Sequence, residues 1–463
     1  MEKVKNPEEQ RRRQFERMTT APVPGLVVAL SIPTIISMMV TSIYNMADTY
    51  FVAQLGTSAA GAVGVVFSIM AIIQAVGFTL GMGAGNLVSR SLGAQKQEQA
   101  NRLAASGFFA ALLCGLLLTV GGLLFIDPLM RALGATETIL PYARDYARYI
   151  LLGAPIMCGS FVLNNLLRSQ GKAAMSMVGI GLGGILNMVL DPIFIFVFGL
   201  GIAGAAIATI LSQCISFGIL LFWFVVGRSD ASIHWRWISR KGGDYLLIVK
   251  TGFPSFCRQG LASLATVALN VNAKVYGDAA VAAMSIVGRI FMFVLSVMLG
   301  FGQGFQPVVA YNYGAGRYGR VREAIRFSLI TGTVVLTVLA VGGYLLAPQA
   351  MALFRAEDLE VIAIGAFAFR AQCVVTPLQP TIVLTNMTLQ GTGQSWQATL
   401  LSACRQGIFF LPLIVILPQV LGLTGVQITQ TVSDLLTFCL SVPFMMWFWR
   451  MLRDKEGEAG GSL

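Results

Sequence analysis

Twelve long apolar segments, separated by short loops of glycine, proline and charged residues, follow a polar arm at residues 1–20. Each segment reaches the ~20 residues that a helix needs to cross the hydrocarbon core of a bilayer. The pattern therefore predicts twelve transmembrane helices. We place them near residues 24–53, 60–89, 103–126, 141–167, 174–198, 202–227, 246–276, 280–310, 322–347, 359–389, 396–420 and 424–449.

Composition supports the prediction of an integral membrane protein. The 463 residues are 56% hydrophobic and only 11% charged, whereas a soluble protein carries about 25% charged residues. No basic surface interleaved with aromatic residues suggests nucleic-acid binding, so the net charge of +11 is interpreted through membrane topology. The seven cysteines lie in apolar segments without paired spacing, which predicts packing residues rather than a metal site.

Loop charges predict the orientation of the chain. Alternate loops are rich in lysine and arginine, and the loops at 54–60, 199–201 and 418–425 have no basic residue. Because basic loops stay on the cytoplasmic side, both termini are expected there, in the plasma (inner) membrane. The arm at 1–20, a linker at 228–245 and a tail at 451–463 would then be cytoplasmic.

The chain repeats itself at a nearly constant offset. An offset of 221 pairs Gly83 with Gly304 and Gly93 with Gly314, and an offset of 222 pairs Asn164 with Asn386. Each half contains six predicted helices, an even number, so both halves have the same orientation. We therefore predict an all-α fold of two six-helix bundles, at 21–227 and 246–450, related by a pseudo-two-fold axis along the membrane normal. Transporters commonly bind substrate between such halves.

Of the 21 acidic residues, only Asp48, Asp191 and Asp434 lie well inside apolar segments. An ionisable group at membrane depth costs roughly 3 kcal/mol on insertion scales, so such a residue usually faces a protein interior or a water-filled cavity. Asp48 and Asp191 both belong to the first half and are predicted at similar depth.

Polar side chains accompany the two acids of the first half. Tyr44 and Asn187 each lie one helical turn before an acid, while Thr209 and Tyr146 are predicted at comparable depth. Carboxylate, amide and hydroxyl oxygens are ligands for a hard cation such as Na⁺, or carriers of a transferable proton. The alternative is a self-contained polar network that holds helices together.

The second half lacks acids at the matched positions. It carries four arginines in apolar segments instead, at Arg258, Arg289, Arg370 and Arg405. We expect Asp434 to form a structural ion pair with one of them, with Arg405 as the candidate.

Catalytic and nucleotide-binding motifs are absent from the sequence. It has no GxxxxGK[ST] loop, no HExxH, no GxSxG and no paired CxxC, and its single histidine, His234, lies in the linker. The sequence therefore favours neither an enzyme nor an ATP-driven pump, and no cofactor is expected. A membrane enzyme remains a third hypothesis, which turnover without an ion gradient would support.

Three stretches in this order resemble the multidrug and toxic compound extrusion (MATE) transporters. They are Ala47-Asp48-Thr49-Tyr50 with Leu55-Gly56, Asn187 to Asp191-Pro192, and Gly199 to Gly204 followed by Ala-Ala-Ile-Ala-Thr209. Together with the layout of two times six helices, the resemblance covers about residues 20–450.

The resemblance implies a V-shaped cavity between the bundles and alternating access driven by H⁺ or Na⁺. It implies antiport export of amphipathic, often cationic drugs, with a coupling site at Asp48, Asn187, Asp191 and Thr209. Tyr44, Tyr146 and Asn164 would surround this site, although the predicted topology places Asn164 near the cytoplasmic end. The partners expected are drugs and the lipid bilayer, around a monomeric chain. A flippase for lipid-linked sugars is the alternative, which the arginines of the second half favour.

Overall fold

The computed structural model describes residues 7–354 and 357–460, so residues 1–6 of the predicted arm and 461–463 of the predicted tail lie outside the described residues. An arm helix, Pro7–Thr20, precedes twelve long helices, which confirms the predicted all-α architecture. We number these α1 Val23–Ala53, α2 Thr57–Gly93, α3 Gln97–Leu124, α4 Leu140–Ser169, α5 Ala173–Val197, α6 Gly201–Val225, α7 Gly242–Lys274, α8 Asp278–Gly314, α9 Tyr318–Leu345, α10 Leu359–Gly391, α11 Ser395–Leu421 and α12 Leu423–Gly460.

Length and hydropathy support membrane insertion of these helices. Among the described residues, eleven are long and apolar enough to cross a membrane. The exception is α7, which has 33 residues but carries Asp244, Lys250, Arg258 and Lys274. Helix α12 continues past the predicted end at 449 as far as Gly460, and Glu456 in this extension forms an ion pair with Arg322.

The helices of each half pack in the same order. In the first half α1 contacts α5, α5 contacts α6, α6 contacts α4, and α4 contacts α2 and α3. In the second half α7 contacts α11, α11 contacts α12, α12 contacts α10, and α10 contacts α8 and α9. Adding six to each helix number of the first half reproduces the second, as the predicted repeat requires.

The two halves meet through their first two helices. Helix α1 packs against α8 and α2 packs against α7, two contacts that the pseudo-two-fold interchanges. Glycine makes both approaches possible: a Cβ atom at Gly304 would lie 2.5 Å from the backbone nitrogen of Ser31, and one at Gly83 would collide with the carbonyl of Ile248. Gly83 and Gly304 are a pair from the sequence repeat, so the same close helix–helix contact occurs at two symmetry-related positions.

The arm helix ties the halves together on the side of the termini. Gln14 Nε2 donates to the carbonyl of Gln170 in the first half at 2.7 Å, and Asn312 Nδ2 of α8 donates to the carbonyl of Met18 at 3.0 Å. The linker adds a buried ion pair on the same side, with Lys172 Nζ 2.7 Å from Asp230 Oδ1. The halves are thus held closed where the chain begins and ends.

Candidate functional site

A cavity of about 350 Å³ lies between the halves, beyond the contacts that close the side of the termini. Ser42 Oγ of α1 lies 2.8 Å from Ser296 Oγ of α8, and both side chains line the cavity. The first half contributes aromatic and polar groups, including Tyr44, Phe78 and Phe161. An apolar cavity with a few convergent polar groups is the usual form of a small-molecule site.

The polar cluster of the first half is built around Asp191, whose side chain is fully buried at the end of α5. Asn187 lies one turn earlier on the same face of the helix. Its Nδ2 is 3.2 Å from Asp191 Oδ1 and 3.3 Å from Thr209 Oγ1 of α6. Asn187 and Thr209 also line the cavity, so they form the wall between the cavity and Asp191.

Asp48 and two tyrosines complete this cluster. Asp48 of α1 lies close enough to Asp191 to interact with it electrostatically. Tyr146 of α4 is fully buried beside both carboxylates and Thr209. Tyr44 packs against α5 at Gly184, where a Cβ atom would lie 3.1 Å from its ring. The structure therefore brings together six of the residues singled out in the sequence.

The cluster contains more acceptors than donors. Asp48 Oδ1, Asn187 Oδ1 and Asp191 Oδ2 are buried and accept no hydrogen bond from the described residues, and the buried hydroxyl of Tyr146, a donor in the same cluster, also has no partner among them. Buried polar atoms are nearly always satisfied, and an orphan costs about 1–3 kcal/mol. Three unsatisfied acceptor oxygens in one cluster suit a hard cation or a proton, which would satisfy them. The described residues contain no cluster of histidine, cysteine and acidic side chains that would indicate another metal.

Asn164 does not belong to this cluster. Its Nδ2 donates to Ser176 Oγ, which joins α4 to α5. The second half repeats this contact at an offset of 222, because Asn386 Nδ2 donates to the Ala398 carbonyl. Asn164 lies 18 residues after Tyr146 on α4, a rise of about 27 Å, which is too far for both to surround one site. The structure thus corrects the position that the resemblance implied.

Asp434 forms a self-contained network in the second half. Arg405 Nε lies 2.8 Å from Asp434 Oδ1, and Gln379 Nε2 donates to Asp434 Oδ2 at 2.6 Å. Gln430 Nε2 adds a third bond, at 3.0 Å. Both carboxylate oxygens of Asp434 therefore have donors, whereas Asp48 Oδ1 and Asp191 Oδ2 have none.

Sequence reasoning missed which charges reach the cavity. The charged side chains that line it are Arg258 and Arg405, and both acids of the first half lie behind the wall. It also missed the buried Arg168, whose Nη1 donates to Gln303 Oε1 of the other half at 2.5 Å. Arg168 directly follows the predicted apolar segment 141–167. Its position there did not indicate a contact with Gln303, because Gln303 is distant in sequence.

Comparison with known proteins gives the family. The family model described as MatE matches residues 33–193 and again 254–416, once in each half. The chain is 27% identical over 437 residues to the multidrug export protein MepA of Staphylococcus aureus (strain MSSA476), covering 94% of this chain and 95% of that protein.

Solved structures agree with this match. A crystal structure of MATE in complex with MaL6 superposes with a TM-score of 0.90 at 29% identity, covering 95% of this chain and 99% of the other. A second, described as the outward-facing conformation of a multidrug resistance MATE family transporter of the MOP superfamily, gives a TM-score of 0.89 at 28% identity, covering 98% and 100%. The chain therefore belongs to the MatE family of membrane transporters.

Proposed function

We propose that this transporter is an antiporter that exports amphipathic, often cationic drugs by alternating access, driven by H⁺ or Na⁺. The coupling ion would bind at Asp48, Asn187, Asp191 and Thr209. The observation that carries the proposal is the set of three orphaned acceptor oxygens around two carboxylates. The relatives described as multidrug export proteins support the choice of substrate.

The wall between the cluster and the cavity suggests how ion and drug are coupled. Asn187 donates to Asp191 and to Thr209 on one side, and both Asn187 and Thr209 line the cavity on the other. An ion that binds the orphaned oxygens would be coordinated by Asn187 Oδ1, so its arrival or release would reorient the Asn187 side chain and change the wall that a drug contacts. Binding of one ligand then alters the affinity for the other, and the effect is reciprocal.

Charge distribution supports an orientation for this mechanism. Basic loops lie on the side of the termini, which we place in the cytoplasm. The conformation held closed on that side would then be outward-facing. Export requires a second conformation in which the contacts of α1 with α8 and α2 with α7 separate. We propose that the monomer in the plasma membrane is sufficient and needs no cofactor.

Neutralising the central carboxylate tests the proposal. Asp191→Asn keeps the shape of the side chain but cannot load and release a cation or a proton, so gradient-driven uptake of a fluorescent cation into inverted vesicles should be abolished. Asp278→Asn, at an exposed position at the start of α8, is the matched control and should transport normally. Full transport by Asp191→Asn in proteoliposomes would refute a coupling role for Asp191. Separate Na⁺ and pH gradients in the same vesicles identify the driving ion.

A flippase for lipid-linked sugars is the second candidate. Arg258 and Arg405 make the second-half wall of the cavity basic, which would suit a diphosphate. Expression in cells with a defect in envelope synthesis decides between the candidates. Rescue of the envelope without drug resistance would favour the flippase, and drug resistance without rescue would favour the exporter.

A further inference from the structure

Arg258 is a cation that faces the cavity without an acidic partner. It lies on α7 about two turns after Gly252, where the backbone of α7 touches α2 at Thr79. The one hydrogen bond that its guanidinium makes among the described residues is a long one, from Nη2 to Ser255 Oγ at 3.4 Å. No carboxylate of the described residues lies within ion-pair distance of it.

The charges nearest to Arg258 are also positive. Arg405 lies across the cavity wall and is neutralised by Asp434 behind it, and Arg168 lies in the contact between the halves. Arg168 is bonded to Gln303 and Asn165. Arg258 alone of the three has neither a carboxylate nor a strong acceptor. An arginine that lines a cavity at membrane depth without a counter-charge usually has a functional partner.

We propose that Arg258 binds an oxyanion, a carboxylate or phosphate group, on the amphipathic molecule that this transporter moves. A guanidinium presents a planar fork of donors that matches such a group bidentately. The first-half wall, which faces Arg258, offers Phe78 and Phe161 to an apolar body and Tyr44 to a cationic nitrogen. Zwitterionic amphipaths therefore fit this cavity better than simple cations.

This inference rests on the proposed drug-export function and narrows it to a substrate class. Acids of the first half cannot provide the same selectivity directly, because Asp48 and Asp191 do not line the cavity. A simple cation would meet Arg258 as a like charge, whereas a zwitterion places its negative group there. The two ends of a zwitterion thus find different partners on opposite walls.

A matched pair of dyes tests the site. Tetramethylrhodamine is a zwitterion with a free carboxylate, and its methyl ester is a cation with the same body. Binding of each dye to the purified full chain is measured by fluorescence anisotropy. We expect Arg258→Gln to weaken binding of the acid by roughly 10- to 100-fold and to leave binding of the ester within about 2-fold of wild type. Arg258→Lys, which keeps the charge but loses the fork, should fall between them.

Arg289→Gln is the control, because this residue lies in an apolar segment of the same half, is exposed and does not line the cavity. It should change neither affinity. Equal loss of both dyes in Arg258→Gln, or no loss of the acid, overturns the oxyanion site. If Arg258→Gln does not fold, the comparison of acid with ester in Arg258→Lys decides in the same way.

Two further outcomes separate this proposal from the function on which it rests. Wild-type protein that binds the ester as tightly as the acid would overturn the oxyanion site and leave the drug exporter standing, whereas binding of neither dye would overturn both. A short-chain phosphatidic acid, added as competitor, identifies the source of the oxyanion. Displacement of the acid dye in wild type assigns a lipid phosphate to the site, and lack of displacement assigns a soluble carboxylate.

Discussion

The close approach of α1 and α8 at Gly304 makes a quantitative prediction about conformational equilibrium. Replacing Gly304 by alanine would place a Cβ atom 2.5 Å from the backbone nitrogen of Ser31, where ordinary contact begins at 3.4 Å. The clash is with backbone, which cannot rotate away as a side chain can. The halves must therefore separate by about 1 Å at this point, or the closed conformation must be abandoned.

Two costs combine in the closed conformation. Overpacking in a tight interface costs typically 1–3 kcal/mol. A separation of about 1 Å also stretches the hydrogen bond from Ser31 Oγ to the Phe301 carbonyl, now 3.1 Å, beyond its range, at a further cost of about 1 kcal/mol. Each 1.4 kcal/mol changes an equilibrium constant tenfold, so a total of about 2 kcal/mol or more lowers the ratio of closed to open conformers at least roughly 30-fold.

Thiol labelling measures this ratio. Ser89 is fully buried between the halves, with its Oγ 3.3 Å from the Pro307 carbonyl. Ser89→Cys, in a background in which the seven native cysteines are replaced, should react with a maleimide at a rate proportional to the open population. Gly304→Ala should raise that rate by the same factor. Gly342→Ala is the matched control, because a Cβ there meets nothing within 4 Å.

The reasoning fails if Gly304→Ala labels as slowly as wild type while the protein remains folded. It also fails if Gly342→Ala accelerates labelling equally, since the effect would then come from helix propensity rather than from the clash. The repeat supplies an internal check. Gly83→Ala would create the symmetry-related clash with Ile248 and should also raise the labelling rate.

Two other polar contacts carry predictions. Gln303→Leu leaves the buried guanidinium of Arg168 without its acceptor across the interface, which should raise the rate of Ser89→Cys labelling roughly 10- to 100-fold. Gln427→Leu is the control and should leave that rate unchanged, because the Gln427 amide forms its hydrogen bond within the second half. Arg405→Gln or Asp434→Asn alone breaks a buried ion pair and should destabilise the detergent-purified protein by about 3–5 kcal/mol. The double variant should recover part of the lost Tm, and equal Tm values for single and double variants would contradict the pairing.

The transmembrane architecture could be predicted from the amino-acid sequence alone. A helix satisfies its backbone hydrogen bonds locally, and the bilayer allows few alternatives, so long apolar segments predict spanning helices. The repeat likewise identified Gly83 and Gly304 as equivalent before their contacts were known. The proximity of Asn187 to Asp191 followed from their spacing of one helical turn.

Which side chains face one another could be read from the folded protein and not from its sequence. Hydropathy does not reveal how far each helix is rotated about its own axis, and that rotation is set by packing against helices distant in sequence. It placed Asp191 behind the cavity wall and Arg258 on it, and it turned Asn164 towards Ser176 rather than towards the carboxylates. The link from Arg168 to Gln303 has the same origin, since it joins residues 135 positions apart.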